Sequence, residues 1–159
     1  MINELKMLPL NMQKVIETCN PFSIYVAQYL AKFKEVMFLG EGLGEAVANE
    51  GSLKMKELTY LHCQCFNIQN ISNGFLNYVI ARKGVPCIFI VLEDNKSTSL
   101  LVMRRMIETG INIYPVIITD CSSPEDISFF ETFTGDSRQI MQVKRSGLAL
   151  SALLCIVPL

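Results

Sequence analysis

The chain has 159 residues, 14 Lys+Arg against 15 Asp+Glu for a formal net charge of −1, and half of its residues are apolar at a mean hydropathy of +0.33. That length can bury a hydrophobic core, and the composition excludes intrinsic disorder. Balanced charge argues against a nucleic-acid or polybasic membrane binder. No apolar run reaches the roughly 18–20 residues of a spanning helix, and Glu4 and Lys6 interrupt any signal-peptide pattern. A cytoplasmic location is therefore expected. The apolar excess points to a strongly buried sheet, or to a partner that covers one face.

Residues 8–34 carry apolar positions at helical spacing, with Asn20 and Pro21 as a cap and first residue dividing the segment into two helices. Residues 34–39 read as a short buried strand, closed by the loop Gly-Glu-Gly-Leu-Gly at 40–44. A long helix is predicted over 45–61, a strand over 65–68 and a short helix over 73–80. The unbroken apolar run 86–92 marks a strand covered on both faces. A helix over 97–109 stops at Gly110, and 113–119 repeats the buried-strand signature. A last strand is expected over 139–143, and an apolar helix from 146. Residues 148–159 stay apolar to the final residue, so the C-terminal helix and tail are expected to be truncated. Alternating strands and helices predict an α/β domain over 1–159 with a mainly parallel sheet between helical layers, the N-terminal helical segment 1–33 packing on it. Such sheets take ligands at the carboxyl ends of their strands.

The six cysteines, 19, 63, 65, 87, 121 and 155, sit in apolar stretches and read as reduced thiols acting as small hydrophobes. His62-Cys63-Gln64-Cys65 offers three soft ligands in four residues, but His62 is the only histidine and no second cysteine pair completes a tetrahedral shell. In an extended segment Cys63 and Cys65 share one face and His62 takes the other. No metal and no cofactor is expected.

Three features carry candidate chemistry. The glycine loop at 40–44 follows a strand and precedes a helix, but Glu45 stands where the dinucleotide fingerprint requires glycine, and Glu41 and Glu45 would repel a pyrophosphate. Its glycines then serve a tight turn. Glu50, Lys54 and Glu57, at i, i+4 and i+7, project from one helix face. Such a triplet is either a solvated ion-pair stripe or, near a ligand crevice, a carboxylate beside an ammonium suited to proton transfer on an anionic substrate. Ser97, Thr98 and Ser99 after Lys96 offer hydroxyls and free N–H groups at a helix start, equally an anion site or an ordinary cap.

The stretch Phe38-Leu-Gly-Glu-Gly-Leu-Gly44, followed by Glu50-Gly-Ser-Leu-Lys-Met-Lys-Glu57-Leu-Thr-Tyr-Leu-His62, resembles the sugar isomerase (SIS) domain. More narrowly it is similar to the second SIS half of the glucosamine-6-phosphate synthase family, the glutamine:fructose-6-phosphate amidotransferases, and the likeness runs in weaker form to Ile156-Val-Pro-Leu159. The resemblance implies a flavodoxin-like three-layer sandwich with a five-stranded parallel sheet. It also implies a homodimer, or pairing with a first SIS half, and a sugar-phosphate ligand such as fructose 6-phosphate or glucosamine 6-phosphate. In the family, the glutamate matched by Glu57 shuttles a proton between C1 and C2, and the lysine matched by Lys54 holds the charged intermediate. The ring-opening histidine position is occupied by Asn73, which cannot act as an acid or base near neutrality. The family's Ser/Thr-rich phosphate loop belongs to the first SIS half, and its active-site lysine to a tail beyond Leu159. The chain alone is thus expected to be inactive as an isomerase. Two functions remain open: half of an amidotransferase–isomerase pocket, or a degenerate SIS module that senses a phosphosugar or builds a dimer.

Overall fold

The computed structural model describes residues 2–71, 73–82 and 84–159. Five parallel strands, β1 (Glu35–Gly40), β2 (His62–Asn67), β3 (Val85–Val91), β4 (Ile113–Thr119) and β5 (Ile140–Gln142), pair in the order β2-β1-β3-β4-β5. The helices are α1 (Ile2–Leu30), α2 (Leu43–Thr59), α3 (Asn73–Ala81), α4 (Lys96–Glu108), α5 (Pro124–Thr134) and α6 (Leu148–Ile156). The α/β sandwich with a five-stranded parallel sheet is as the sequence implies.

Alternation along each strand builds the two layers. Val36, Phe38, Ile88, Ile90, Val116, Ile118 and Met141 face one side, where α1, α2 and α6 cover them with Val15, Val47, Ala48 and Leu154. Met37, Leu39, Cys87, Phe89, Val91, Ile117 and Ile140 face the other, against Val79, Met103, Met106 and Phe130 of α3, α4 and α5. Register carries each layer across the sheet: Phe38 pairs with Ile88, Ile88 with Val116, and Ile118 with Met141. Every residue of β3 is buried, as a central parallel strand must be.

The structure departs from the sequence reading in three places. The N-terminal segment is one helix running through Pro9 and Pro21, not two divided at Pro21. An interior proline costs about 3 kcal/mol, but Val15, Cys19, Val26 and Leu30 form one buried stripe that spans Pro21, and packing of that stripe offsets the lost hydrogen bond. Strand β2 begins at His62, three residues earlier than predicted, because Val36 and Phe38 of β1 recruit Cys63 and Cys65 into the sheet. Helix α5 was not foreseen, although Ser123 accepts from the Asp126 N–H as N-cap, Pro124 opens the helix and Gly135 closes it.

Candidate functional site

Glycine conformation sets the turn from β1 into α2. A Cβ on Gly40 would overlap the backbone carbonyl of Gly44 and come within 2.6 Å of the Glu45 nitrogen, and Gly42 has φ +57°. Close backbone approach and a positive φ therefore require glycine in this turn. Glu45 accepts from Asn67 Nδ2 at 2.5 Å, Glu41 accepts from Gln69 Nε2, and Asn95 Nδ2 donates to the Glu41 carbonyl at 2.8 Å. These bonds tie the loops after β1, β2 and β3 together at the point where strand order reverses, the usual crevice of an open parallel sheet.

That crevice is acidic. Asp120, fully buried, accepts from the Glu93 N–H at 2.7 Å through Oδ1, while its Oδ2 is buried with no partner among the described residues. Lys96 Nζ lies 2.9 Å from Glu93 and 2.5 Å from Asp126. Burial would raise the Asp126 carboxyl, but the Lys96 ammonium and Ser123 hydroxyl outweigh it and hold the group below its ordinary value. The same two carboxylates raise the Lys96 pKa. Glu93, Cys121 and Asp126 bring ligand atoms within 4.8 Å of one another, yet the Lys96 ammonium already bonds both carboxylates, and burial pushes the Cys121 thiol up to about 12. The protein thus supplies its own cation there.

Helix α4 starts at Lys96, one residue before the predicted start; its cap position Asn95 makes no side-chain capping bond, and its Nδ2 donates to the Glu41 carbonyl. Ser97 is exposed, Thr98 half-buried and Ser99 buried. An anion at this helix start would meet the carboxylates of Glu93 and Asp126. The sequence reading missed that acidic surround, since Glu93, Asp120 and Asp126 converge only through the fold.

The Glu50–Lys54–Glu57 triplet forms as its spacing requires. Lys54 Nζ donates to Glu57 Oε2 at 2.9 Å and lies 3.6 Å from Glu50 Oε1, all three side chains being about half exposed. The Glu57 hydrogen bond, then the Glu57 and Glu50 charges, raise the Lys54 pKa, so its ammonium is a fixed charge near neutrality. The start of α2 borders the crevice, and at ~1.5 Å per residue Glu57 lies fourteen residues, roughly 20 Å, further along the helix. The half-exposed triplet stands on the same helix as exposed Leu53 and Leu58, with exposed Tyr60 just beyond its end. The Asn73 side chain, at the family's histidine position, lies outside the described residues. All six cysteines are free, with Cys63 and Cys65 facing the α1–α2–α6 layer; burial, then Glu45, pushes the Cys65 thiol up to about 11. No helix among the described residues is long and apolar enough to cross a membrane.

Comparison with known proteins agrees with this architecture. A glutamine–fructose-6-phosphate aminotransferase (isomerizing) of Caldanaerobacter subterraneus is 30% identical over 100 residues, 63% of this chain but 16% of that protein; aligned over nearly its whole length, the chain spans about a quarter of the relative from Clostridium perfringens, at 24% identity. Among solved structures, the C-terminal domain of glucosamine-fructose-6-phosphate aminotransferase from Francisella tularensis superposes with a TM-score of 0.79 at 22% identity, over 98% of this chain and 41% of that one. The sugar isomerase domain of an RpiR transcription factor from Sphaerobacter thermophilus superposes at 0.67 and 14% identity, over 98% of this chain and 84% of that one. The SIS domain family matches residues 29–125, and with the parallel β2-β1-β3-β4-β5 sheet in place the chain belongs to that family.

Proposed function

We propose that this chain is a sugar-phosphate-binding SIS module, equivalent to the second isomerase half of a glucosamine-fructose-6-phosphate aminotransferase-like protein, and not competent for isomerisation by itself. The observation that carries this reading is the exposed Glu50–Lys54–Glu57 constellation on α2, with its ammonium hydrogen-bonded to Glu57. Abstraction of a proton beside a carbonyl needs a carboxylate base, and a neighbouring cation stabilises the enolate oxygen that results. Glu57 takes the first role and Lys54 the second, with Glu50 fixing the ammonium from the other side. Because the triplet is half exposed, a ligand here would lie between α2 and a second body, either another SIS half or a second copy of this chain. Exposed Leu53, Leu58 and Tyr60 suit burial against such a body. The Ser97–Ser99 hydroxyls belong to another helix, α4, and the reading does not rest on them.

Asn73 at the acid–base position supports inactivity. In a coupled assay the purified chain is expected to form no glucose 6-phosphate from fructose 6-phosphate above the uncatalysed background; measurable turnover would contradict the proposal. Fructose 6-phosphate should nevertheless raise the melting temperature, and Glu57→Gln, at a half-exposed position, should abolish that rise without lowering the unliganded value. A second reading, a phosphosugar sensor or dimerisation scaffold, is favoured by the fold likeness to the RpiR sugar isomerase domain. Ligand binding that is indifferent to Glu57→Gln would favour it.

A further inference from the structure

The two edges of the sheet are built differently. At one end β5 is only three residues long, a length at which an edge offers little to pair with. At the other end β2 runs for six residues, His62–Asn67, and matches β1 residue for residue over all six, so no bulge interrupts it. It contains no charged residue and no proline, the usual guards of an open edge. We propose that β2 is an association edge, at which a second copy of this chain adds its own β2 antiparallel and joins the two sheets into one.

Backbone direction fixes the pairing. The His62 N–H donates to the Lys34 carbonyl at 3.2 Å. Backbone groups alternate in direction along a strand, so those of His62, Gln64 and Phe66 turn to β1 and those of Cys63 and Cys65 turn out of the sheet. Open N–H and C=O groups in a row are a template for another strand. Side-chain alternation restricts the register, since a joining strand must keep each face of the sheet on its own side. Asn67 caps the turn that follows β2, and the ladder that leaves it out is centred on Gln64. In that ladder Cys63 exchanges both backbone bonds with Cys65 of the second copy. Gln64 then meets Gln64 of the second copy as the closer, non-hydrogen-bonded pair, and His62 lies across from the other Phe66 on the same face. The character of the edge selects a second copy over a strand of another kind. Being uncharged, it fits an uncharged strand, and β2 is itself one. Its outward groups are also symmetric about Gln64, so one twofold axis satisfies both copies at once. Exposed Leu58 and Tyr60, within four residues ahead of β2, add apolar surface for such a contact to cover. Pairing at this edge does not depend on a sugar phosphate binding at the Glu50–Lys54–Glu57 face, which belongs to α2.

The test combines sedimentation velocity with thiol trapping. The 159-residue chain, its thiols kept reduced, is expected to pass from monomer to dimer as its concentration rises. Gln64→Lys, at an exposed position, should weaken that association about fivefold by setting like charges opposite each other. Gln64→Cys should form a disulfide-linked dimer under mild oxidation, because a non-hydrogen-bonded pair with Cα atoms about 4.5 Å apart lies within disulfide reach. The parent chain and Leu101→Cys, an exposed position on α4, should not cross-link. A dimer indifferent to Gln64→Lys would overturn pairing at β2. So would a Leu101→Cys chain that cross-links as fast as Gln64→Cys, since that is random collision. A monomer at every concentration would overturn the second copy as occupant and leave the edge to a strand of another protein.

Discussion

Lys96 is the residue on which the acidic crevice depends. Its ammonium bonds the carboxylates of Glu93 and Asp126, both largely buried. Asp126, held below its ordinary value, contributes stability above about pH 4, which is lost as pH falls through its lower folded value. Lys96, raised, contributes below about pH 10 and loses that contribution as pH climbs through its higher folded value. Lys96→Met is therefore expected to cost about 1–3 kcal/mol at pH 7 and much less near pH 3, measured by urea denaturation; an equal cost at both pH values would refute the ion-pair account. The thiols make a second prediction at this scale. Burial raises Cys19, Cys63, Cys65, Cys87, Cys121 and Cys155, and the thiolate is the reactive form. Ellman's reagent should then label the native chain far more slowly than the unfolded one at pH 8, and a fast-reacting native thiol would contradict this. Individual roles such as these were only partly legible. Spacing placed Lys54 between Glu50 and Glu57, and alternation placed Cys63 beside Cys65. Of the two partners of Lys96, Glu93 lies three residues away and Asp126 thirty, on α5, so local spacing could announce only the first.

Elements were legible where their signal is local. The run from Val85 to Val91 is apolar throughout because both helical layers cover it, and β4 occupies the predicted 113–119. Where tertiary packing overrides a local signal, reading fails, as at Pro21, where a buried stripe carries α1 through a residue that ordinarily ends a helix. Helix α5 shows the opposite failure: its Ser-Pro-Glu-Asp start was visible but weakly amphipathic. The β1–α2 turn depends on Gly40. Alanine there is expected to destabilise by about 2–4 kcal/mol, because its Cβ would meet the backbone of Gly44 and Glu45, which cannot rotate away. A thermal melt within a degree or two of the parent would show that the turn has more freedom than this packing allows.

At the scale of the whole molecule, ligand chemistry is split between surfaces that strand order alone would not separate. An open parallel sheet is expected to use the crevice where its order reverses. Here that crevice is filled by carboxylates, an internal ammonium and side-chain-to-loop hydrogen bonds. The Glu50–Lys54–Glu57 triplet, the face proposed to meet the ligand, lies further along α2 with its side chains half exposed. Legible in the sequence, through the Glu-Gly-Ser-Leu-Lys-Met-Lys-Glu block, was the fold and the helix face; illegible was the distance of that face from the crevice, which only the assembled layers define. A half-exposed triplet makes sense as one wall of a pocket closed by another body, and that is the central claim. Calorimetric titration of fructose 6-phosphate into the purified chain, its Glu57→Gln variant and its Lys54→Gln variant tests it most directly. Saturable heat in the parent, weakened about tenfold or more by either substitution, is the predicted result; equal binding in all three, or no heat at millimolar ligand, would contradict it.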